Sequence, residues 1–123
     1  MARMFLQANE NLYQITAMKS DIDKVLNFCE DSIEYDHILS PDKKFSYSGK
    51  SLWRSGTVSH LGETRNVRLK IVHIMERQNI VIVEFNLSRE IKEEKAWIRS
   101  DRTIISIMEF NKNRKIKKLT DYL

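Results

Sequence analysis

The chain has 123 residues, of which 41% are hydrophobic and 31% are charged, a composition typical of one globular domain and not of a disordered segment. Its net charge is +4, but the densest basic stretch, Lys112–Lys118, contains no aromatic side chains, so we do not expect nucleic acid as a partner. The longest purely apolar run, Ile80–Val83, is too short to cross a membrane, and the single Cys29 excludes an intrachain disulfide.

Two short helices are predicted at the start of the chain. From Arg3 to Met18, apolar side chains recur at spacings of three and four and form one helical stripe, consisting of Phe5, Ala8, Leu12 and Ile15. A second helix is predicted to begin at Ser20, which together with Asp23 is close to a capping box. Its apolar face consists of Ile22, Val25, Leu26 and Cys29, and Cys29 is interpreted as a small core residue.

The stretch from Asp31 to Leu39 changes to a period of two, which predicts a strand. One face of this strand carries Ile33, Tyr35, His37 and Leu39. A surface turn is predicted at Pro41–Lys44. A third helix is predicted from Ser48 to Leu61, with Gly62 as its C-terminal stop.

The second half of the chain is dominated by alternating or wholly apolar runs rich in β-branched residues. Four strands are therefore predicted, at Val67–Met75, Ile80–Leu87, Ala96–Phe110 and Lys115–Leu123. The turns between them fall at Glu76–Asn79, Lys92–Lys95 and Asn111–Arg114. Helices followed by a meander of antiparallel strands indicate an α+β domain that spans residues 1–123.

The C-terminal hairpin resembles the closing hairpin of the SnoaL-like branch of the nuclear-transport-factor-two-like superfamily. The positions that match this motif are Phe110, Lys115, Ile116, Leu119, Asp121 and Tyr122, while Arg114 stands where a glycine is usual. Three further stretches resemble family motifs in the same order: Ser20–Leu26, Glu30–Tyr35 and Ser48–Lys50. The resemblance lies in the order and spacing of these short motifs across about a hundred residues.

This resemblance implies a cone, in which a strongly curved antiparallel sheet carries the three helices of the N-terminal half on its concave face. A pocket between helices and sheet would hold a small apolar molecule, because such concave sites are where ligands bind. The resemblance also implies a homodimer formed through the outer face of the sheet. We expect a cytoplasmic protein, because the apolar stretch Met4–Leu6 is too short for a signal-peptide core.

Two enzyme types within the resemblance indicate catalytic positions. The ketosteroid isomerase type would use Asp36 as a base and Tyr13 as a hydrogen-bond donor, with Ser106 at the place of the second donor. The polyketide cyclase type would use Asp121 on the last strand as the base. Both residues of the isomerase pair also have structural interpretations, with Tyr13 as a half-buried core aromatic and Asp36 as a surface ion pair with His37.

The function predicted from these patterns is proton abstraction next to a carbonyl group of a small apolar ligand. Trp53 would form a wall of the pocket, and Ser106, Met108 and Leu123 would form its floor. This reaction needs no cofactor, and the spacing of His37, His60 and His73 predicts no metal site. The alternative is a non-catalytic binding or dimerisation module whose pocket is filled by bulky side chains, namely Phe28, Trp53, Met108 and Phe110.

Overall fold

A computed structural model of the chain describes residues 2–14 and 16–123. In this part of the chain there are three helices, α1 (Ala2–Leu12), α2 (Lys19–Leu26) and α3 (Lys50–Val58). The six strands are β1 (Cys29–Ser40), β2 (Lys43–Ser48), β3 (Thr64–Arg77), β4 (Ile80–Glu93), β5 (Ala96–Phe110) and β6 (Ile116–Tyr122). No helix of the described residues is both long enough and apolar enough to span a membrane.

The two N-terminal helices are present, but their ends differ from the prediction. Helix α1 buries Phe5, Leu6 and Leu12 and ends at Leu12, six residues before the predicted end. Of its predicted stripe, Ile15 lies outside the described residues. Helix α2 buries Ile22, Val25 and Leu26 as predicted, whereas Cys29 is the first residue of β1.

The capping of α2 also differs from the prediction. The backbone N–H of Met18 donates a 2.7 Å hydrogen bond to the carboxylate of Asp21, which satisfies the amide at the N-cap position. The Asp23 carboxylate instead accepts a 3.0 Å hydrogen bond from Nε of Arg54 on α3. The expected roles of Ser20 and Asp23 in a capping box are therefore wrong.

The region from Pro41 to Gly62 contains a strand that the pattern did not predict. Strand β2 is exposed at almost every position, has only a short alternation of Phe45 and Tyr47 with serines, and forms the edge of the sheet beside β1. Helix α3 is shorter than predicted and begins after Gly49, whose φ of +88° is one that glycine adopts without strain. Gly62 lies in the turn beyond the helix and not directly at its end.

The six strands form one curved, open sheet in the order β2-β1-β6-β5-β4-β3. The predicted antiparallel meander is correct for β3 to β6. Strand β1, however, pairs in parallel with β6, so the sheet is mixed. The α+β class and the three helices over one face of a curved sheet are confirmed.

The core lies between the helices and the inner face of the sheet. Helix residues Phe5, Ile22 and Trp53 meet strand residues such as Ile33 and Val83, and all of these are buried. The outer face of β4 carries Ile80 and Ile82, which are more exposed to solvent than their inward-facing neighbours Val81 and Val83. The fold thus has its core on the helical side of the sheet and a partly exposed apolar surface on the other.

Candidate functional site

The space between the helices and the sheet is not completely filled. The central cavity, of about 260 Å³, lies between α1 and the strands and has apolar walls that include Phe5, Leu69, Phe85, Ile104 and Leu119. The α3 cavity, of about 290 Å³, adjoins it and is lined by residues that include Tyr47, Trp53, Thr57 and His60. Tyr13, Tyr35, His37 and Arg89 line both cavities and therefore mark the place where the two meet.

The register of three neighbouring strands places a polar row on the wall of the central cavity. Asp121 of β6 lies opposite His37 of β1 on one side and opposite Ser106 of β5 on the other. Cross-strand neighbours project from the same face of a sheet, and so do residues two apart on one strand. Tyr35, two residues before His37, therefore joins the same group.

These four side chains form one hydrogen-bonded cluster. The Tyr35 hydroxyl donates a hydrogen bond of 2.5 Å to Oδ2 of Asp121, and the Ser106 hydroxyl donates to Oδ1 of the same carboxylate. Nε2 of His37 contacts the Tyr35 hydroxyl oxygen and lies 3.7 Å from Oδ2 of Asp121. If Nε2 carries the proton, the imidazole donates to Tyr35 while Tyr35 donates to Asp121.

Burial controls the charge states within this cluster. The Asp121 side chain is only 14% exposed, and desolvation raises its pKa above the usual value, although the hydrogen bonds from Ser106 and Tyr35 oppose that shift. Desolvation lowers the pKa of His37, with the charge of Asp121 opposing it, so the imidazole is neutral near neutral pH. The cluster thus holds a carboxylate that binds a proton more readily than an exposed one, next to a neutral imidazole that is one third exposed.

Tyr13 and Arg89 line the same two cavities as Tyr35 and His37. Desolvation raises the pKa of the Tyr13 hydroxyl, and the charge of Asp121 raises it further, so Tyr13 stays protonated and can donate a hydrogen bond. Desolvation lowers the pKa of Arg89. Nε of Arg89 is buried and has no hydrogen-bond partner among the described residues.

Of the predicted catalytic residues, Tyr13 and Asp121 line the central cavity and Asp36 does not. Asp36 projects from the opposite face of β1 from Tyr35 and accepts a 2.7 Å hydrogen bond from the Ser46 hydroxyl. It also lies 3.8 Å from Nζ of Lys44. Asp36 therefore lies on the face of β1 away from the cavity, because the alternation along the strand directs Tyr35 inward.

Three of the four predicted pocket residues line a cavity. Ser106 and Leu123 lie along the central cavity, and Trp53 lines the α3 cavity, where its ring packs edge-on at 4.8 Å from that of Tyr35. Met108 is 0% exposed and lines neither cavity, because it points into the core between β4 and β6.

Tyr35, His37 and Arg89 were not predicted as site residues, although the sequence contains a signal for each. The first two belong to the alternating set Ile33, Tyr35, His37 and Leu39, of which the buried Ile33 and Tyr35 mark the inner face. Arg89 continues the inward alternation of Val83, Phe85 and Leu87 beyond the predicted end of that strand. A polar residue on an otherwise apolar strand face is the feature that could have identified all three.

Comparison with known proteins supports the architecture. No protein-family model and no curated protein matches the chain by sequence. Among solved structures, a protein assigned as a SnoaL-like polyketide cyclase of Shewanella putrefaciens has a TM-score of 0.71 at 12% identity, covering 99% of this chain and 90% of the other. A hypothetical protein of Catenulispora acidiphila with a ketosteroid isomerase-like fold, in complex with trimethylamine, has a TM-score of 0.70 at 12% identity, with 97% and 84% covered.

A third similar structure is an epoxide hydrolase of Mycobacterium tuberculosis described as LEH-like, with a TM-score of 0.65 at 16% identity and coverage of 98% and 82%. At such low identities these likenesses establish the fold and not the activity. The chain therefore has the cone fold of the nuclear-transport-factor-two-like and SnoaL-like proteins, as the hairpin motif predicted.

Proposed function

We propose that this protein binds a small, mainly apolar molecule in the central cavity and removes a proton from the carbon next to a carbonyl group of that molecule. Asp121 is the base, and the Tyr13 hydroxyl donates a hydrogen bond to the carbonyl oxygen. The observation that carries the proposal is the position of Asp121, a buried carboxylate of raised pKa on the wall of a largely apolar cavity. A base with a raised pKa accepts a proton from carbon more readily than an exposed carboxylate does.

Proton transfer from the ligand to Asp121 would form an enolate. The C–H bond breaks and its proton passes to a carboxylate oxygen of Asp121. The C–H electron pair forms a C=C bond to the carbonyl carbon, while the π pair of the C=O bond moves to oxygen to give an enolate. Each carboxylate oxygen already accepts one hydrogen bond, and each has a second lone pair for the incoming proton. Tyr13 stabilises the enolate because a donor already positioned in a desolvated site needs no reorganisation.

Tyr35 and His37 support the base. Tyr35 holds the carboxylate in place, and it also connects Asp121 to the partly exposed imidazole of His37. This connected chain of polar groups offers the proton on Asp121 a route towards solvent or back to the ligand.

The experiment combines binding with hydrogen exchange. A panel of small cyclic ketones is first screened by thermal shift, because a ligand that binds the native state raises the apparent stability. Ketones that bind are then incubated with the protein in D₂O, and deuterium incorporation next to the carbonyl is followed by NMR. We expect wild type to accelerate incorporation and Asp121→Asn to bind the ketone without accelerating it.

The matched control is Asp36→Asn. Asp36 lies on β1, the strand next to β6, and its carboxylate is on the outer face of the sheet. The Asp36→Asn variant should exchange at the wild-type rate. Undiminished exchange in Asp121→Asn would refute Asp121 as the base, and equal loss in both variants would refute its specific role.

The alternative of a module with a filled pocket predicts that bulky side chains occupy this space. Met108 and Trp53 are buried and Phe28 packs edge-on against Phe5, yet both cavities remain open beside them. This observation favours a ligand site over a filled interior. Ketone binding without exchange in wild type would favour a non-catalytic binding protein.

A further inference from the structure

We infer that the molecule bound in this cavity carries a carboxylate group, and that Arg89 binds this group; the inference rests on the proposed ligand site and specifies the chemical class of its occupant. Arg89 lies at the junction of the two cavities and is the described cationic side chain that lines both. A carboxylate on the ligand would be the partner that its guanidinium lacks.

The Nε atom of Arg89 lacks a described hydrogen-bond acceptor. This nitrogen is buried, and no acceptor among residues 2–14 and 16–123 forms a hydrogen bond with it. The Arg89 guanidinium also forms no ion pair with a described carboxylate. A buried N–H of a charged group without an acceptor is unfavourable, and such groups in native proteins generally have a partner.

The Arg89 side chain is directed towards the cavities. Arg89 occupies an inward position of β4, in line with Val83, Phe85 and Leu87, and lies opposite Ser100 of β5. An arginine placed only for solubility would occupy an outward position, as the exposed Arg68 does on β3. The strand alternation therefore directs Arg89, a partly buried residue, towards the cavities, and desolvation lowers its pKa there.

The charged groups near Arg89 leave room for an anionic ligand group. The charged group that acts on Arg89 is a second guanidinium, that of Arg102, which lines the central cavity and lies opposite Leu87. The Tyr13 hydroxyl also lies close to Arg89, but it stays protonated and neutral. Asp121 lines the same cavity but is held by Ser106 and Tyr35. Arg102 is exposed, and the Glu63 carboxylate that lines the α3 cavity lies 2.8 Å from Nδ1 of His60. Arg89 is therefore a partly buried cation without a described carboxylate partner, beside walls that are largely apolar.

These features together describe an apolar body with one acidic end. A guanidinium presents a planar fork of N–H donors that matches the two oxygens of a carboxylate. The apolar walls would hold the rest of the molecule. The carbon next to its carbonyl group would lie towards Asp121, and the carbonyl oxygen would accept from Tyr13. A keto acid with an apolar ring or chain satisfies both ends of the site.

The test uses pairs of probes that differ only in the acidic group. Octanoate is compared with 1-octanol, and cyclohexylacetate with 2-cyclohexylethanol, by isothermal titration calorimetry near neutral pH. We expect each acid to bind wild type at least about tenfold more tightly than its alcohol, since a charge-assisted pair in a desolvated site is of that strength. Arg89→Met should remove this preference and leave the affinity for the alcohols unchanged.

Two further variants keep the test decisive. Arg68→Met removes the same charge from the outer surface and should retain the acid preference, which excludes an effect of net charge. Arg89→Lys keeps the charge but not the planar fork, and it should bind the acids more weakly than wild type and more tightly than Arg89→Met. We expect Arg89→Met to fold, because the substitution removes an unpaired buried donor and keeps a long apolar stem.

The outcomes separate this inference from the function on which it rests. Equal affinity for acid and alcohol in wild type, or an acid preference that persists in Arg89→Met, would overturn the carboxylate site while leaving the cavity as a ligand site. If neither member of either pair binds wild type, both the apolar ligand site and the carboxylate inference are refuted.

Discussion

His37 and Asp121 are direct neighbours on the parallel strands β1 and β6, with 3.7 Å between Nε2 of the imidazole and Oδ2 of the carboxylate. In an exposed pair, such proximity would favour a charged imidazolium beside a charged carboxylate. Here desolvation has the larger effect on both groups, lowering the pKa of His37 and raising that of Asp121. The Tyr35 hydroxyl, which contacts both side chains, stabilises the pair.

The raised pKa of Asp121 predicts how stability depends on pH. Since the folded-state pKa lies above the unfolded one, the contribution of the protonated carboxyl is fully present below the unfolded pKa and is lost as the pH rises through the folded pKa. We therefore expect the unfolding free energy of wild type, relative to Asp121→Asn, to fall as the pH rises from about 4.

Urea denaturation of both proteins over a series of pH values measures this difference. The asparagine still accepts from Ser106, and the Tyr35 hydroxyl can turn to donate to His37, so the variant should fold. In the variant, the Asp121 charge no longer raises the pKa of His37, so this pKa falls further. The stability of the variant then increases more with rising pH, which adds to the fall in the difference between wild type and variant. A difference that stays constant with pH, or that grows as the pH rises, would contradict the assignment.

Tyr35→Phe tests whether the hydroxyl group stabilises the buried carboxylate. The change removes the donor to Oδ2 of Asp121 and keeps the aromatic ring that packs against Trp53. We expect a loss of about 1.5–3 kcal/mol in unfolding free energy near neutral pH, the range for a hydrogen bond to a charged group. The pKa of Asp121 should also rise, as a carboxyl ¹³C NMR titration would show.

The control for this change is Tyr47→Phe. Tyr47 is a half-buried tyrosine of the α3 cavity whose ring lies 6.3 Å from that of Tyr35. The Tyr47→Phe substitution should lower the unfolding free energy by no more than about 0.5 kcal/mol. Equal losses in the two variants would show that the Tyr35 hydroxyl has no special interaction with Asp121.

The elements were predictable where one face of a helix or strand is apolar. The bounds of β5 agree with the prediction at both ends, because its long alternating run is flanked by clear turn residues. Strand β2 was missed because it is an exposed edge, which needs no apolar face. The parallel pairing of β1 with β6 joins residues far apart in the chain, and no local pattern encodes it.

The site was predictable only in part for a related reason. Asp121 was indicated by the resemblance to the polyketide cyclase type, and Tyr13 by the resemblance to the ketosteroid isomerase type. Asp36 was indicated by the same isomerase resemblance, but its inward or outward direction depends on the alternation of β1. That alternation, anchored by the buried Ile33 and Tyr35, places His37 and not Asp36 towards Asp121.

Cys29 provides a test of the packing at the start of β1. Its thiol is 1% exposed, and desolvation raises its pKa to about 12, so almost none of the reactive thiolate is present near neutral pH. We expect native protein to react with Ellman's reagent only as fast as it unfolds, and denatured protein to react completely. Fast labelling of the native protein would show that the β1 end of the core is open.

The predicted homodimer can be tested on the outer face of the sheet. Cross-strand pairing places Met75, Ile82 and Ile107 in one outward row. Glu84, Ile105 and Tyr122 form the next row, in which Ile105 is 43% exposed and Tyr122 is 44% exposed. An apolar surface of this kind is typical of a protein–protein interface.

Ile105→Lys introduces a charge into this surface beside Glu84, a neighbour that allows the variant to fold. If the outer face forms the dimer, the substitution should raise the dimer dissociation constant at least about tenfold, because removing the lysine ammonium group from water at an apolar contact is unfavourable even beside a carboxylate. Size-exclusion chromatography with light scattering over a range of concentrations measures the change. Leu52→Lys is the control, since Leu52 is an exposed residue of α3 on the opposite side of the sheet. A wild-type protein that stays monomeric at all concentrations, or equal dissociation of the two variants, would rule out this face as the interface.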